Sequence, residues 1–205
     1  MVISRVEEVS AGCIKIITES GPSFFIRSSY LSLVPPEQIV SGSVFIEEKE
    51  DDIINAGLAF AAEKKALEYL SRAEQSRAGL YRKLKVKKFE KTAIDKALDH
   101  LESASYLSDM RFARAWLNNR KITHSEGRSK LACELAARGI DKETSAAALD
   151  DFFAQNDERD ACIKALEKCR RLKKDQNKTF AALLRAGFSY NLIRDVLPAA
   201  DTEFI

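Results

Sequence analysis

"LAARGIDKETSAAAL", residues 135–149, decides the fold of this chain. Leu135 lies five residues before Ile140 and Leu149 nine residues after it, with Gly139 just before the isoleucine and Asp141 just after. Glycine at that position ends a helix in the left-handed conformation, and aspartate one step past the apolar residue caps a new helix. The stretch therefore reads as a helix, a tight turn plugged by an apolar side chain, and a second helix. The frame recurs in "LKVKKFEKTAIDKAL", residues 84–98, around Phe89, and in "LLRAGFSYNLIRDVL", residues 183–197, around Phe188. The pivots are preceded by Lys88, Gly139 and Gly187 and followed by Glu90, Asp141 and Ser189. Two of the three copies thus carry the glycine, and two carry a strong cap.

Each pair is preceded by a further helical segment, at residues 61–75, 109–121 and 158–172. The unit is three helices of about 45 residues, a size typical of helical repeats that bury their remaining apolar faces by stacking on one another. The fold class is mainly α: three tandem three-helix repeats forming an elongated, curved helical body. The region before them is strand-like, with β-rich runs at residues 3–9, 12–20, 23–29 and 44–46 and a short helix or turn broken by Pro35-Pro36. A small β-rich N-terminal subdomain follows from this. The expected division is 1–50 for the β-rich extension and 51–108, 109–156 and 157–205 for the three repeats.

With 45% hydrophobic residues over 205 positions, the chain can bury a real core without covalent staples. Cys13, Cys133, Cys162 and Cys169 form no CxxC pair, and only His100 and His124 are available to join them, so no metal and no cofactor are expected. Cys162 and Cys169 fall on one side of a helix, as buried small hydrophobes. No apolar run approaches the roughly 20 residues of a membrane span, and the first residues lack the pattern of a leader. A reduced, cytoplasmic monomer with no membrane contact is expected. Phosphate loops, nucleophile elbows and HExxH zinc motifs are missing from the sequence. The adjacent acids Asp51-Asp52 and Asp150-Asp151 diverge by about 100° on a helix and read as solvated surface. The chain is not expected to be an enzyme.

Charge is divided unevenly. Residues 1–63 carry 4 basic and 10 acidic side chains, whereas residues 64–205 carry 29 and 21. Basic runs recur once per repeat, at residues 77–91, 111–130 and 164–178. In the middle repeat, "SYLSDMRFARAWLNNR", residues 105–120, places Phe112, Ala113, Trp116 and Leu117 on one helical stripe. Arg111, Arg114, Asn118 and Lys121 fall on the opposite stripe, with Asp109 as the expected N-cap. Such a stripe is either ordinary solvated surface or one stretch of a long cationic face. Trp116 reads as packing within or between repeats.

The same residues resemble the RecX family, regulators of the RecA recombinase. Tyr106, Leu107, Asp109, Phe112, Ala113 and Arg120 match the family's central signature. Gly127, Leu131, Glu134, Leu135, Gly139 and Ile140 match further, as do Arg72, Ser76, Leu80 and Leu84. The likeness spans about residues 60–197; Ser105, Ser108, Gly79 and Lys88 depart from it at turns and caps. The resemblance implies a non-enzymatic modulator that lies in the helical groove of the RecA and single-stranded DNA filament. There it would inhibit recombinase and co-protease activity, and so modulate DNA repair and the SOS response. Arg72, Arg77, Arg82, Lys83, Arg111, Arg114, Arg120, Lys121, Arg128, Lys130, Arg170, Arg171 and Lys174 are the residues expected to meet RecA or single-stranded DNA, directly or through the filament. A stand-alone nucleic-acid-binding repeat protein and a purely structural scaffold are the alternatives.

Overall fold

The computed structural model describes residues 1–10 and 12–197. The expected extent of the last repeat beyond Leu197 lies outside the described residues. The chain divides into two compact units, Met1–Ser108 and Asp109–Ile205.

In the first unit, β1 (Ile3–Ser10), β2 (Cys13–Thr18) and β3 (Phe24–Arg27) form an antiparallel sheet in that order. Ile14 of β2 pairs with Glu8 on one side and Ile26 on the other. Alternation sends Ile3, Ile16 and Ile26 inward, against Ile53, Ala56 and Ala59 of α1 (Glu47–Leu70). Small residues on α1 let the sheet approach closely. The expected strand at residues 44–46 is only a bridge between Val2 and Val44, and the proline segment folds into short 3-10 turns.

The first helix of repeat one was expected at residues 61–75; it is instead the end of the 24-residue α1, which stops at Leu70. The longer helix serves two cores, its first half covering the sheet and its second half contributing Ala66 to the next cluster. Asp52, expected as a solvated acid, is buried. Its carboxylate accepts the N–H groups of Ser32, Leu33 and Val34 at 2.8 to 3.0 Å, tying the loop after β3 to α1. Glu63, also buried, accepts from Arg27 Nε at 2.7 Å and from the Tyr30 hydroxyl at 2.8 Å.

α1 joins α2 (Arg77–Val86) and α3 (Lys91–Ser103) around Leu80, Leu84, Ile94, Leu98 and Leu101. In the second unit, α4 (Asp109–Thr123), α5 (Arg128–Ala137) and α6 (Lys142–Gln155) close around Ala113, Leu117, Leu131, Leu135 and Leu149. α7 (Glu158–Arg171), α8 (Gln176–Arg185) and α9 (Tyr190–Val196) close around Cys162, Leu166, Leu183 and Ile193. The described residues therefore hold nine helices in three three-helix modules, as the repeat predicted.

The turn at each pivot is the same object three times. Lys88, Gly139 and Gly187 have φ of 66°, 83° and 90°. Phe89, Ile140 and Phe188 then donate their N–H to the carbonyls of Leu84, Leu135 and Leu183 at 3.3, 3.2 and 3.3 Å, which is the Schellman closure. Asp141 and Ser189 cap the following helices through their side chains, while Glu90 makes no such bond. Ile140 and Phe188 are buried; Phe89 is half-buried.

Gly187 has a second task. A Cβ there would fall 2.4 Å from the Lys130 backbone nitrogen, and one on Gly127 would fall 2.4 Å from the Gly187 carbonyl oxygen. The two backbones touch because the start of α5 docks on the end of α8. Gly127 and Ser129 donate to the carbonyls of Ala186 and Gly187, and Arg128 N–H donates to Glu158 Oε1 at 2.8 Å. Gly127 has no side chain to cap α5, so the third module supplies the acceptors, with helix dipoles opposed favourably.

Two consequences can be measured by thermal unfolding. Lys88 and Ser105, at φ of 66° and 60°, hold left-handed conformations that cost an L-residue about 1–2 kcal/mol. Lys88→Gly and Ser105→Gly should each raise stability by about 0.5–1 kcal/mol once the extra chain entropy of glycine is subtracted. Gly187→Ala should lower it by more than about 2 kcal/mol through strain and overlap. A neutral Gly187→Ala would mean the modules do not touch there.

Candidate interaction surface

The helix that motivated the cationic stripe is built largely as its sequence predicts. Ala113 and Leu117 are buried, Phe112 and Trp116 are half-buried beside them, and Arg111, Arg114, Asn118 and Lys121 are exposed. Two details differ. The helix begins at Asp109, so that aspartate stands in the first turn and not before it. Trp116 is not sealed in the core: Arg138 lies 4.5 Å from its ring centroid and Arg120 lies 5.7 Å away. Both guanidiniums gain from the ring's negative face; Arg120 stands four residues along the same helix, whereas Arg138 lies outside any local reading of residues 105–120.

Most of the expected cations of the middle repeat are engaged within the unit. Arg114 Nε donates to Asp151 at 3.0 Å, Arg128 binds Asp150, and Lys121 reaches Asn156 Oδ1 at 3.2 Å. Asp150 and Asp151 are exposed as expected but are ion-pair partners along α6, not merely solvated. Arg120 holds Glu126 at 2.7 and 3.0 Å, and Lys130 approaches the same carboxylate at 3.2 Å. Glu126 has a side chain only 7% exposed. Burial pushes its pKa up, but the hydrogen bonds and charges of Arg120 and Lys130 outweigh this and hold it below the ordinary glutamate value.

In the first repeat Arg77 bridges to α3, binding Asp99 and Glu102 at 2.6 Å each. Lys83 donates to Gln75 Oε1 at 2.7 Å and sits 5.0 Å over the Tyr69 ring. Arg72 and Arg82 are exposed. In the third repeat Arg170, Arg171 and Lys174 are exposed and make no ion pair among the described residues. Most of the expected residues thus separate into cations already paired inside their module and cations that face solvent.

Sequence reasoning passed over Glu126, Arg138, Glu158 and Glu63. The four-residue spacing of Glu134 and Arg138 was a visible signal, and the pair does form at 2.7 Å. Nothing local marks Glu63 or Glu158, whose partners lie 30 or more residues away. Among the described residues no group of His, Cys, Asp and Glu is placed to hold a metal ion. No helix there is long and apolar enough to cross a membrane.

Comparison with known proteins falls on the same modules. Residues 62–101 match the family profile described as RecX, first three-helix domain, and residues 108–149 match RecX, second three-helix domain. The regulatory protein RecX of Treponema pallidum strain Nichols is 36% identical over 157 residues, covering 77% of this chain and 95% of that protein. A crystal structure of a regulatory protein RecX aligns with a TM-score of 0.72 at 19% identity, over 95% of this chain and 98% of that one. One of RecX from Lactobacillus salivarius aligns with a TM-score of 0.60 at 23% identity, over 68% and 94%. These two likenesses concern the fold.

The Glu126 arrangement sets a stability test with a definite sign. A lowered folded-state pKa stabilises fully above the ordinary glutamate value of 4.5, and that contribution is lost as pH falls through the folded value. Glu126→Gln should therefore cost about 1–3 kcal/mol at pH 7. The deficit should shrink toward zero in acid. A deficit that persists unchanged at pH 3 would assign the loss to packing.

Proposed function

The chain belongs to the RecX family of regulatory proteins, and we propose that within it the chain acts on the RecA recombinase as a non-enzymatic inhibitor. It binds the filament that RecA forms on single-stranded DNA, within the helical groove, and limits recombinase and co-protease activity in the cytoplasm. DNA repair and the SOS response are modulated as a result. Family membership carries this reading. Cations on all three modules support it, since many modest contacts along a repetitive partner sum to useful affinity.

The intramodule pairs do not disqualify Arg114 or Arg128 as contacts. Exposed ion pairs are worth about 0–1 kcal/mol, so a phosphate or carboxylate of the partner can replace Asp151 or Asp150 at small cost. A second reading, direct binding to bare nucleic acid, is favoured by the solvent-facing cations of α7. The test is RecA ATPase on single-stranded DNA with and without this chain. The proposal expects ATPase to fall as the chain is added and inhibition to weaken with rising salt. Unchanged ATPase at equimolar chain and RecA would contradict it.

A further inference from the structure

Lys164, Lys168 and Arg171 stand at i, i+4 and i+7 on α7, hence on one face, about 6 and 4.5 Å apart along the helix axis. All three are exposed and make no ion pair among the described residues, unlike the cations of α4 and α5. They line one wall of a 480 Å³ groove whose opposite wall is the α4–α5 loop with His124 and Ser125. Lys130 also lines it, its charge shared with Glu126. Of the two carboxylates in the groove, Glu126 is already neutralised by Arg120 and Lys130, which leaves Glu167 alone against three unpaired cations.

The groove continues into a neighbouring one of 440 Å³ that shares His124, Ser125, Glu126 and Lys164 with it and is also lined by Asp157 and Asp160. There the lining changes character. Phe152 and Phe153, half-buried and edge to face at 5.1 Å, lie with the 76% exposed Ile122 along that section. A track of cations running beside aromatic side chains is what single-stranded nucleic acid requires, with phosphates on the charges and bases against the rings. An acidic peptide would use the cations and leave the aromatic section unexplained.

We propose that this trough, between α7 and residues 123–126, binds the phosphodiester backbone of a single nucleic-acid strand. Lys164, Lys168 and Arg171 hold successive phosphates. The bases turn toward Phe152 and Phe153. Lys164 and Lys168 were not among the residues expected from sequence to meet the filament. The inference rests on the proposed function only for the source of the strand, the DNA of the RecA filament; the chemistry stands on the trough itself.

The experiment compares three full-length proteins: the parent, Lys164→Gln/Lys168→Gln/Arg171→Gln, and a control of equal charge change, Lys64→Gln/Lys91→Gln/Lys142→Gln. All substituted side chains are exposed, and circular dichroism melts confirm that each protein folds. Fluorescence anisotropy with a labelled oligothymidylate is read across a salt series, beside RecA ATPase. The trough variant should lose affinity about tenfold or more, and its log–log salt slope should flatten by about 2, at roughly 0.7 per lost phosphate contact. The control should change far less. Equal losses in both variants overturn the proposal, as does a parent that binds polyglutamate but not oligothymidylate. If the trough variant keeps full oligothymidylate affinity while the parent inhibits RecA, the trough fails and the filament reading stands. If the trough variant loses the strand while the parent has no effect on RecA, the trough stands and the filament reading fails.

Discussion

Everything in the helical part of this chain depends on one backbone event, a residue in the left-handed conformation that lets the next N–H reach back five residues to a leucine carbonyl. At Gly139 and Gly187 the residue adopts that conformation without a Cβ penalty. At Lys88 an L-residue does so under strain, held because Leu84 and Leu98 are buried on either side of the turn. Reversing the chain within two residues is what allows helices of 7 to 14 residues to bury apolar residues at matched positions. In the second unit the same turn does more, since the carbonyls of Ala186 and Gly187 become the acceptors for the start of α5.

This explains which parts of the architecture were legible in the sequence. The turns, pivots and caps are local, so their signals lie within about ten residues of one another, and the spacing of Phe89, Ile140 and Phe188 was sufficient to find three modules. The β-rich runs that hold Ile14, Ile16 and Ile26 likewise mark a sheet. The hidden features are those whose partners are distant. Asp52 reads as half of an acidic pair, yet it is buried because three amides 18 to 20 residues away need an acceptor. Gly127 reads as a family match, yet its role comes from Gly187. Trp116 reads as core, yet it supports two guanidiniums from different elements.

The candidate surface divides along the same line. Basic runs are visible in sequence, but whether a cation is free depends on which acid the fold sets against it. Helix α6 brings Asp150 and Asp151 to Arg128 and Arg114, whereas α7 leaves Lys164, Lys168 and Arg171 without ion-pair partners among the described residues. Paired cations fix module geometry and yield to a partner only by exchange. Unpaired ones present their charge to solvent and to any polyanion that arrives, which makes them the more salt-sensitive part of the surface.

Direct sedimentation of the chain with RecA assembled on single-stranded DNA tests the central claim, that this RecX family member recognises the filament. At low salt the chain should pellet with the filament, in excess of what it pellets with the same DNA or with unassembled RecA, and should return to the supernatant as salt rises. A chain that stays in the supernatant beside intact filaments, or pellets equally with bare DNA, would contradict the account.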